Sequence, residues 1–231
     1  MLWLYGQFMH IDASEASPAE GYLSALEKHP RGSSEDITIE TKDRPIIRTQ
    51  KEVHGIYYQI VDRLLDVFIL SDAYDTRQLR NDTMSALQLF HNSTGWYSDC
   101  VWLVTKAFSK LPESSSLCQY LIKSWALLWH GKEVTGEFAH DMTALSTAFL
   151  VPVLCLTAKR ESDGGECKSQ LKQELDEWCT FHEHPDEEEK RVCKEKRETN
   201  RPFFRNFILA CTEIAIREDT NITQDSLVRA P

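Results

Sequence analysis

Apolar side chains recur once per helical turn between Val53 and Phe90. A first stripe has the i, i+4, i+7, i+8 spacing of one helical face and consists of Val53, Tyr57, Ile60, Val61, Leu64, Leu65 and Phe68. After a polar turn at 71–75, a second stripe contains Leu79, Thr83, Ala86, Leu87 and Phe90. The pattern predicts two amphipathic helices, with the Asp75 carboxylate as N-cap of the second because it can accept hydrogen bonds from free amides of the first turn.

The middle of the chain predicts three further helices. A helix over about 100–110 ends at Leu111-Pro112, because proline disfavours a helical conformation for the residue before it. The serines at 114–116 can cap the next helix. A third segment over about 144–159 is kinked or restarted at Pro152. The sequence therefore predicts a mainly α protein built as a helical bundle.

The two ends of the chain have a different composition. Residues 12–44 are polar and are predicted to form a loop-like insertion, in which the alternation over 37–39 indicates a short strand. Residues 161–231 are predicted to form a charged helical region that contains cysteines and histidines. Opposite charges lie four positions apart there, as on a solvated helix face.

Composition and charge narrow the classes of partner. The chain has 231 residues, is 42% hydrophobic and carries a formal charge of −10, so nucleic acid is not expected as a partner because phosphate binding needs a basic face. No apolar run approaches the roughly 18 residues of a membrane span. With no secretion signal recognisable at Met1, we expect an intracellular protein, in the cytoplasm or nucleus, whose seven cysteines are reduced thiols.

The sharpest chemical pattern is Cys179-x-x-His182-x-His184-x8-Cys193. Two thiolates and two imidazoles are the ligand set of a tetrahedral structural zinc, with Cys167 as a substitute ligand. The alternative, which the sequence favours, is a charged helix with a histidine-bearing cap, in which the cysteines pack singly or bond each other. An extended segment would also point His182 and His184 to opposite faces.

Nothing in the sequence predicts catalysis. The pair Cys179 and His182 lacks a neighbouring group to orient the histidine. The carboxylates of Asp72, Asp75 and Asp82 are more simply caps and solvated charges than an acid–base pair. With nine glycines and no phosphate-binding motif, nucleotide binding has no support. No cofactor is predicted apart from the zinc that the Cys/His residues could hold.

Four stretches, in order and spacing, resemble the large fungal family of BTB/POZ proteins. LWLYGQF is similar to the sequence "WLYTG" at the strand entry of a BTB domain. DRLLDVFILSDAYDTRQLRNDTMSAL resembles the segment that closes the domain. AFSKLPESSSLCQYLIKSW is similar to an element that follows the domain in this family. CTFHEHPDEEEKRVC resembles a C-terminal element of the family. The strands and helices that usually open a BTB domain do not precede Met1, so the resemblance implies an N-terminally truncated module.

The resemblance implies a remnant BTB/POZ (α+β) segment followed by helices. We expect a partial BTB/POZ-like domain over 1–93, a helical extension over 94–160 and the charged region over 161–231. The implied function is protein–protein interaction as a scaffold or adaptor, with a second BTB chain or a cullin-type ubiquitin ligase scaffold as partner. The residues predicted to contact a partner are Tyr74, Leu79, Trp96 and Tyr97. For Tyr74 and Leu79, internal packing is an equal alternative.

Overall fold

A computed structural model of the chain describes residues 18–29, 36–41, 45–95, 100–129, 142–163 and 165–228. Within these ranges the prediction of a mainly α fold is confirmed. The described elements, in chain order, are α1 (Pro18–Lys28), β1 (Ile37–Ile39), β2 (Ile46–Arg48), α2 (Gln50–Ala73), α3 (Arg77–Thr94), α4 (Val101–Lys110), α5 (Ser116–Leu128), α6 (Thr147–Ser162), α7 (Glu166–Asp176), α8 (Glu187–Glu195) and α9 (Arg197–Val228).

The chain divides into two compact units. The described residues of 1–64, 89–96 and 199–231 belong to the first unit, and those of 65–88 and 97–198 belong to the second. Helices α2, α3 and α9 contribute residues to both units. The predicted division of the chain into three consecutive segments stays a prediction.

The two helices predicted between Val53 and Phe90 are confirmed as α2 and α3. Their apolar stripes are buried apart from the half-buried Leu79, and Val53, Ile60 and Phe68 are fully enclosed. The predicted N-cap at Asp75 is wrong, because α3 begins only at Arg77. Asp75 instead adopts a positive φ of 47° in the connecting turn, and its carboxylate accepts a hydrogen bond from Arg80.

In the first unit, helix α1 corrects the prediction that residues 12–44 are loop-like. Its apolar side chains are few but all face the core, where Ala19, Tyr22, Leu23, Ala25 and Leu26 are buried. The predicted strand over 37–39 is confirmed, and it pairs antiparallel with β2. A Cβ at Gly21 would overlap the carbonyl oxygen of Glu40, so the close approach of the chain to α1 requires glycine there.

The core of the second unit is built around α5, which begins where the serines at 114–116 predicted. Ser115 caps the helix by accepting a hydrogen bond from the N–H of Cys118 at 3.2 Å. Trp125 is buried and meets Phe149 of α6 edge-to-face, with ring centroids 5.2 Å apart. Helix α6 runs through Pro152 without a break.

The carboxyl end of α5 is held by a buried arginine. Arg160 of α6 donates hydrogen bonds to the carbonyls of Ala126, Leu127 and Trp129 at 2.8, 2.8 and 2.6 Å. These carbonyls have no partner within the helix, so a cation there satisfies them and complements the helix dipole. Among the helices that the structure describes, none combines the length and apolarity needed to cross a bilayer.

Candidate metal centre

The segment between α7 and α8 folds into turns that bring Cys179 and His182 together. The N–H of His182 faces the carbonyl of Cys179 at 3.5 Å. Helix α8 then begins after Asp186, whose carboxylate accepts a hydrogen bond from the N–H of Glu189 at 2.8 Å. Acidic residues fill the first turn of α8, where negative charge is favourable. Cys193 lies near the other end of the same helix.

The four predicted ligands converge on one point. Each offers one ligand atom, and these atoms lie within 4.8 Å of one another. Nδ1 of His182 is 3.4 Å from Sγ of Cys193. A tetrahedral zinc with bonds of about 2.0 Å to nitrogen and about 2.3 Å to sulfur gives an N–S edge of about 3.5 Å. The segment is not extended, and its turns bring the ring centroids of His182 and His184 to 5.7 Å from each other.

Burial is the main cause of a shifted pKa at each of the four groups, and at His184 it lowers the pKa. It raises the pKa of Cys179 to about 12, with the neighbouring Cys193 as the second cause, and it raises the pKa of Cys193. Burial, and to a smaller extent the neighbouring His184, lowers the pKa of His182 to about 3. This imidazole is therefore neutral at pH 7. Neutral imidazole is the form that binds metals, and a bound cation would remove the protons from both thiols.

His184 is the least satisfied member of the cluster. Both of its ring nitrogens are shielded from solvent, and neither makes a hydrogen bond within the described residues. Leaving a polar atom buried without a partner costs about 1–3 kcal/mol. A metal ion at the cluster would give one of these nitrogens its missing partner. Neither Cys179 nor Cys193 is part of a disulfide, so they do not form the bond that one alternative allowed.

Helix α3 holds the ligand segment through buried polar side chains. The Oγ of Ser85 lies 3.1 Å from Nε2 of His182. The amide of Asn81 accepts from the N–H of Glu183 at 2.8 Å and donates to its carbonyl at 3.1 Å. Gln88, one turn after Ser85, donates to the carbonyl of Leu175 at 3.0 Å. These contacts hold the backbone segment that carries both histidines.

Arg80 completes this support. Its guanidinium donates to both carboxylate oxygens of Glu183, at 2.7 and 2.8 Å, and to Asp75 at 3.2 Å. The side chain of Arg80 is 10% exposed and that of Glu183 is 41% exposed. The hydrogen bond to Glu183 is the main cause that raises the pKa of Arg80. The pair anchors to α3 the residue that lies between His182 and His184.

The sequence reasoning missed these α3 residues, although a signal for them existed. Along α3 the side chains of Arg80, Asn81, Ser85 and Gln88 form a polar stripe beside the apolar one, and all four are buried. Their burial distinguishes this stripe from a solvated face. Only the folded structure identifies the segment that they hold.

Other predicted site residues lie elsewhere. Cys167 does not join the cluster, since its Sγ lies 3.8 Å from the carbonyl of Leu156. Tyr74 is 70% exposed in the turn between α2 and α3, and Leu79 is half-buried on α3. Trp96 and Tyr97 lie outside the described residues, as does LWLYGQF. The roles predicted for these residues in partner binding stay predictions.

Comparison with known proteins gives no relative for this chain. No family model, curated protein or solved structure matches it. The interpretation of the centre therefore depends on its own geometry.

Proposed function

We propose that the second unit is a structural zinc-binding module with Cys179, His182, His184 and Cys193 as ligands. The observation that carries the proposal is the convergence of these four ligand atoms within 4.8 Å. A set of two cysteines and two histidines is a common ligand set of structural zinc sites, and tetrahedral S₂N₂ coordination is typical of zinc. The unsatisfied nitrogens of His184 and the neutral ring of His182 support the same assignment.

The proposed metal has a structural role. Four protein ligands complete a tetrahedral shell, so no position is left at which a water molecule could be activated for catalysis. The ion would tie the turn that carries Cys179 and His182 to the end of α8 that carries Cys193. Helix α8 has no buried residue of its own. A metal bond at Cys193 would therefore add a tether to a helix that burial alone holds weakly.

Metal analysis of the purified protein tests the proposal. We expect about one zinc per chain, as for a single four-ligand site. Cys193→Ser and His184→Gln should each lose most of this zinc, because three ligands in this geometry bind zinc far more weakly. Cys155→Ser is the matched control, since Cys155 is an exposed free thiol on α6 outside the cluster.

The zinc content of the variants decides the outcome. A folded wild-type protein without zinc after purification in metal-containing medium would contradict the proposal. Full zinc content in both ligand variants would contradict it as well, because the metal would then be bound elsewhere.

The adaptor role implied by the BTB resemblance stays a prediction beside this proposal. A structural zinc is compatible with an adaptor role, because both require a stably folded helical protein and neither requires a catalytic site. Tyr74, which is exposed, is a residue at which that prediction can be tested by substitution.

A further inference from the structure

The two nitrogens of the His182 ring face different partners. Nδ1 lies 3.4 Å from Sγ of Cys193, on the side of the cluster. Nε2 lies 3.1 Å from Oγ of Ser85 on α3. A histidine ligand binds a metal through one nitrogen, and the hydrogen bond made by the other nitrogen determines which one is available. In this arrangement the metal-facing atom is Nδ1.

The proton positions agree with this choice. Oγ of Ser85 also lies 2.9 Å from the carbonyl oxygen of Asn81, which can only accept a hydrogen bond. The single hydroxyl proton of Ser85 therefore goes to Asn81, and its oxygen is left to accept from the N–H at Nε2 of His182. The resulting chain of donors runs from His182 to Ser85 and then to the main chain of α3.

The support is buried, since Ser85 is 2% exposed. Asn81, which accepts from Ser85 through its carbonyl, also holds both main-chain polar groups of Glu183 with its side chain. One turn of α3 thus fixes the ring of His182 and the backbone next to it.

We infer that Ser85 is a positioning residue that holds His182 as an Nδ1 ligand of the metal. The inference rests on the proposed zinc centre and adds to it the binding atom of one ligand. Loss of such a hydrogen bond to a metal-bound histidine typically weakens metal binding 10- to 100-fold. We expect this loss in Ser85→Ala, with the number of zinc ions bound at saturation unchanged.

Zinc affinity, measured by competition with a chromophoric chelator, tests the effect of Ser85→Ala. The matched control is Ser124→Ala. Ser124 is also buried on a helix, and its hydroxyl donates to the carbonyl of Tyr120 one turn earlier at 2.8 Å. It does not contact the cluster. The inference expects about 10- to 100-fold weaker binding in Ser85→Ala than in Ser124→Ala, and equal affinities would overturn it.

A second measurement on the wild-type protein needs no substitution. Long-range proton–nitrogen NMR correlations of the zinc-loaded protein distinguish a protonated Nε2 with Nδ1 bound to metal from the reverse arrangement. We expect the proton of His182 on Nε2. A proton on Nδ1, with Nε2 bound to the metal, would overturn the inference while the zinc centre itself stands. A protein that binds no zinc at all would overturn the proposed function and the inference with it.

Discussion

Chelation of zinc is expected to release helix α8 from the second unit while α5 stays folded. None of the α8 residues is buried, and its other anchors are exposed or half-exposed ion pairs such as Lys194 with Glu177 and Arg77 with Glu189. Exposed pairs contribute little, typically up to about 1 kcal/mol each. Helix α5, in contrast, has nine buried residues. The proposed metal would therefore be the main tether of α8.

The size of the effect follows from linkage. A ligand that binds only the folded state stabilises it by about 4 kcal/mol when its free concentration is about 1,000 times its Kd. Since metal binding and local folding are coupled in small metal sites, removing the ion removes this free energy from the segment that it holds. We expect amide protons of α8 to exchange with solvent at least about 100-fold faster in the chelated protein.

Hydrogen–deuterium exchange with and without a strong zinc chelator measures this directly. The Cys193→Ser variant is the control, because its α8 should exchange rapidly in both conditions. Unchanged protection of α8 after complete removal of zinc would show that the helix is held by something other than the metal.

Substitution of Arg80 by methionine is expected to destabilise the protein by about 2–4 kcal/mol. The substitution removes a cation that is 90% shielded and leaves the carboxylate of Glu183 without its paired donors. The cost should stay below that of a fully buried pair, because Glu183 is 41% exposed and water can solvate it. We also expect weaker zinc binding, since Arg80 anchors the residue between the two histidine ligands.

The matched control is Arg77→Met, one turn earlier on the same helix. Arg77 pairs with Glu189, and both side chains are substantially exposed, at 44% and 33%. Its loss should cost at most about 1 kcal/mol. Urea denaturation of the zinc-loaded proteins measures both free energies of unfolding. Equal losses in the two variants would contradict the role assigned to Arg80.

The sequence predicted the helical architecture because its signals are local. The apolar stripes of α2 and α3, and the serine cap of α5, depend on residues within a few turns of one another. Helix α1 was missed because its apolar residues are few and lie in a polar stretch, although Tyr22, Leu23 and Leu26 are sufficient to bury one face. Its burial depends on packing against distant segments, which a local pattern does not contain.

The metal ligands could be proposed from their spacing, but their convergence could not. Whether His182 and His184 face one point depends on the turns before α8, and the sequence alone allowed an extended segment. The polar stripe of α3 is visible in the sequence, but the partners of its residues were not predictable, since Ser85 meets His182 across 97 positions and Arg80 meets Glu183 across 103. Pairing over such distances is decided by tertiary structure, and a single sequence carries no direct signal of it.

X-ray absorption spectroscopy at the zinc edge tests the central claim most directly, because it reports the atoms bound to the metal. For the purified protein we predict two sulfur atoms at about 2.3 Å and two nitrogen atoms at about 2.0 Å. Coordination by oxygen or nitrogen alone, without sulfur, would show that Cys179 and Cys193 are not ligands and would contradict the account.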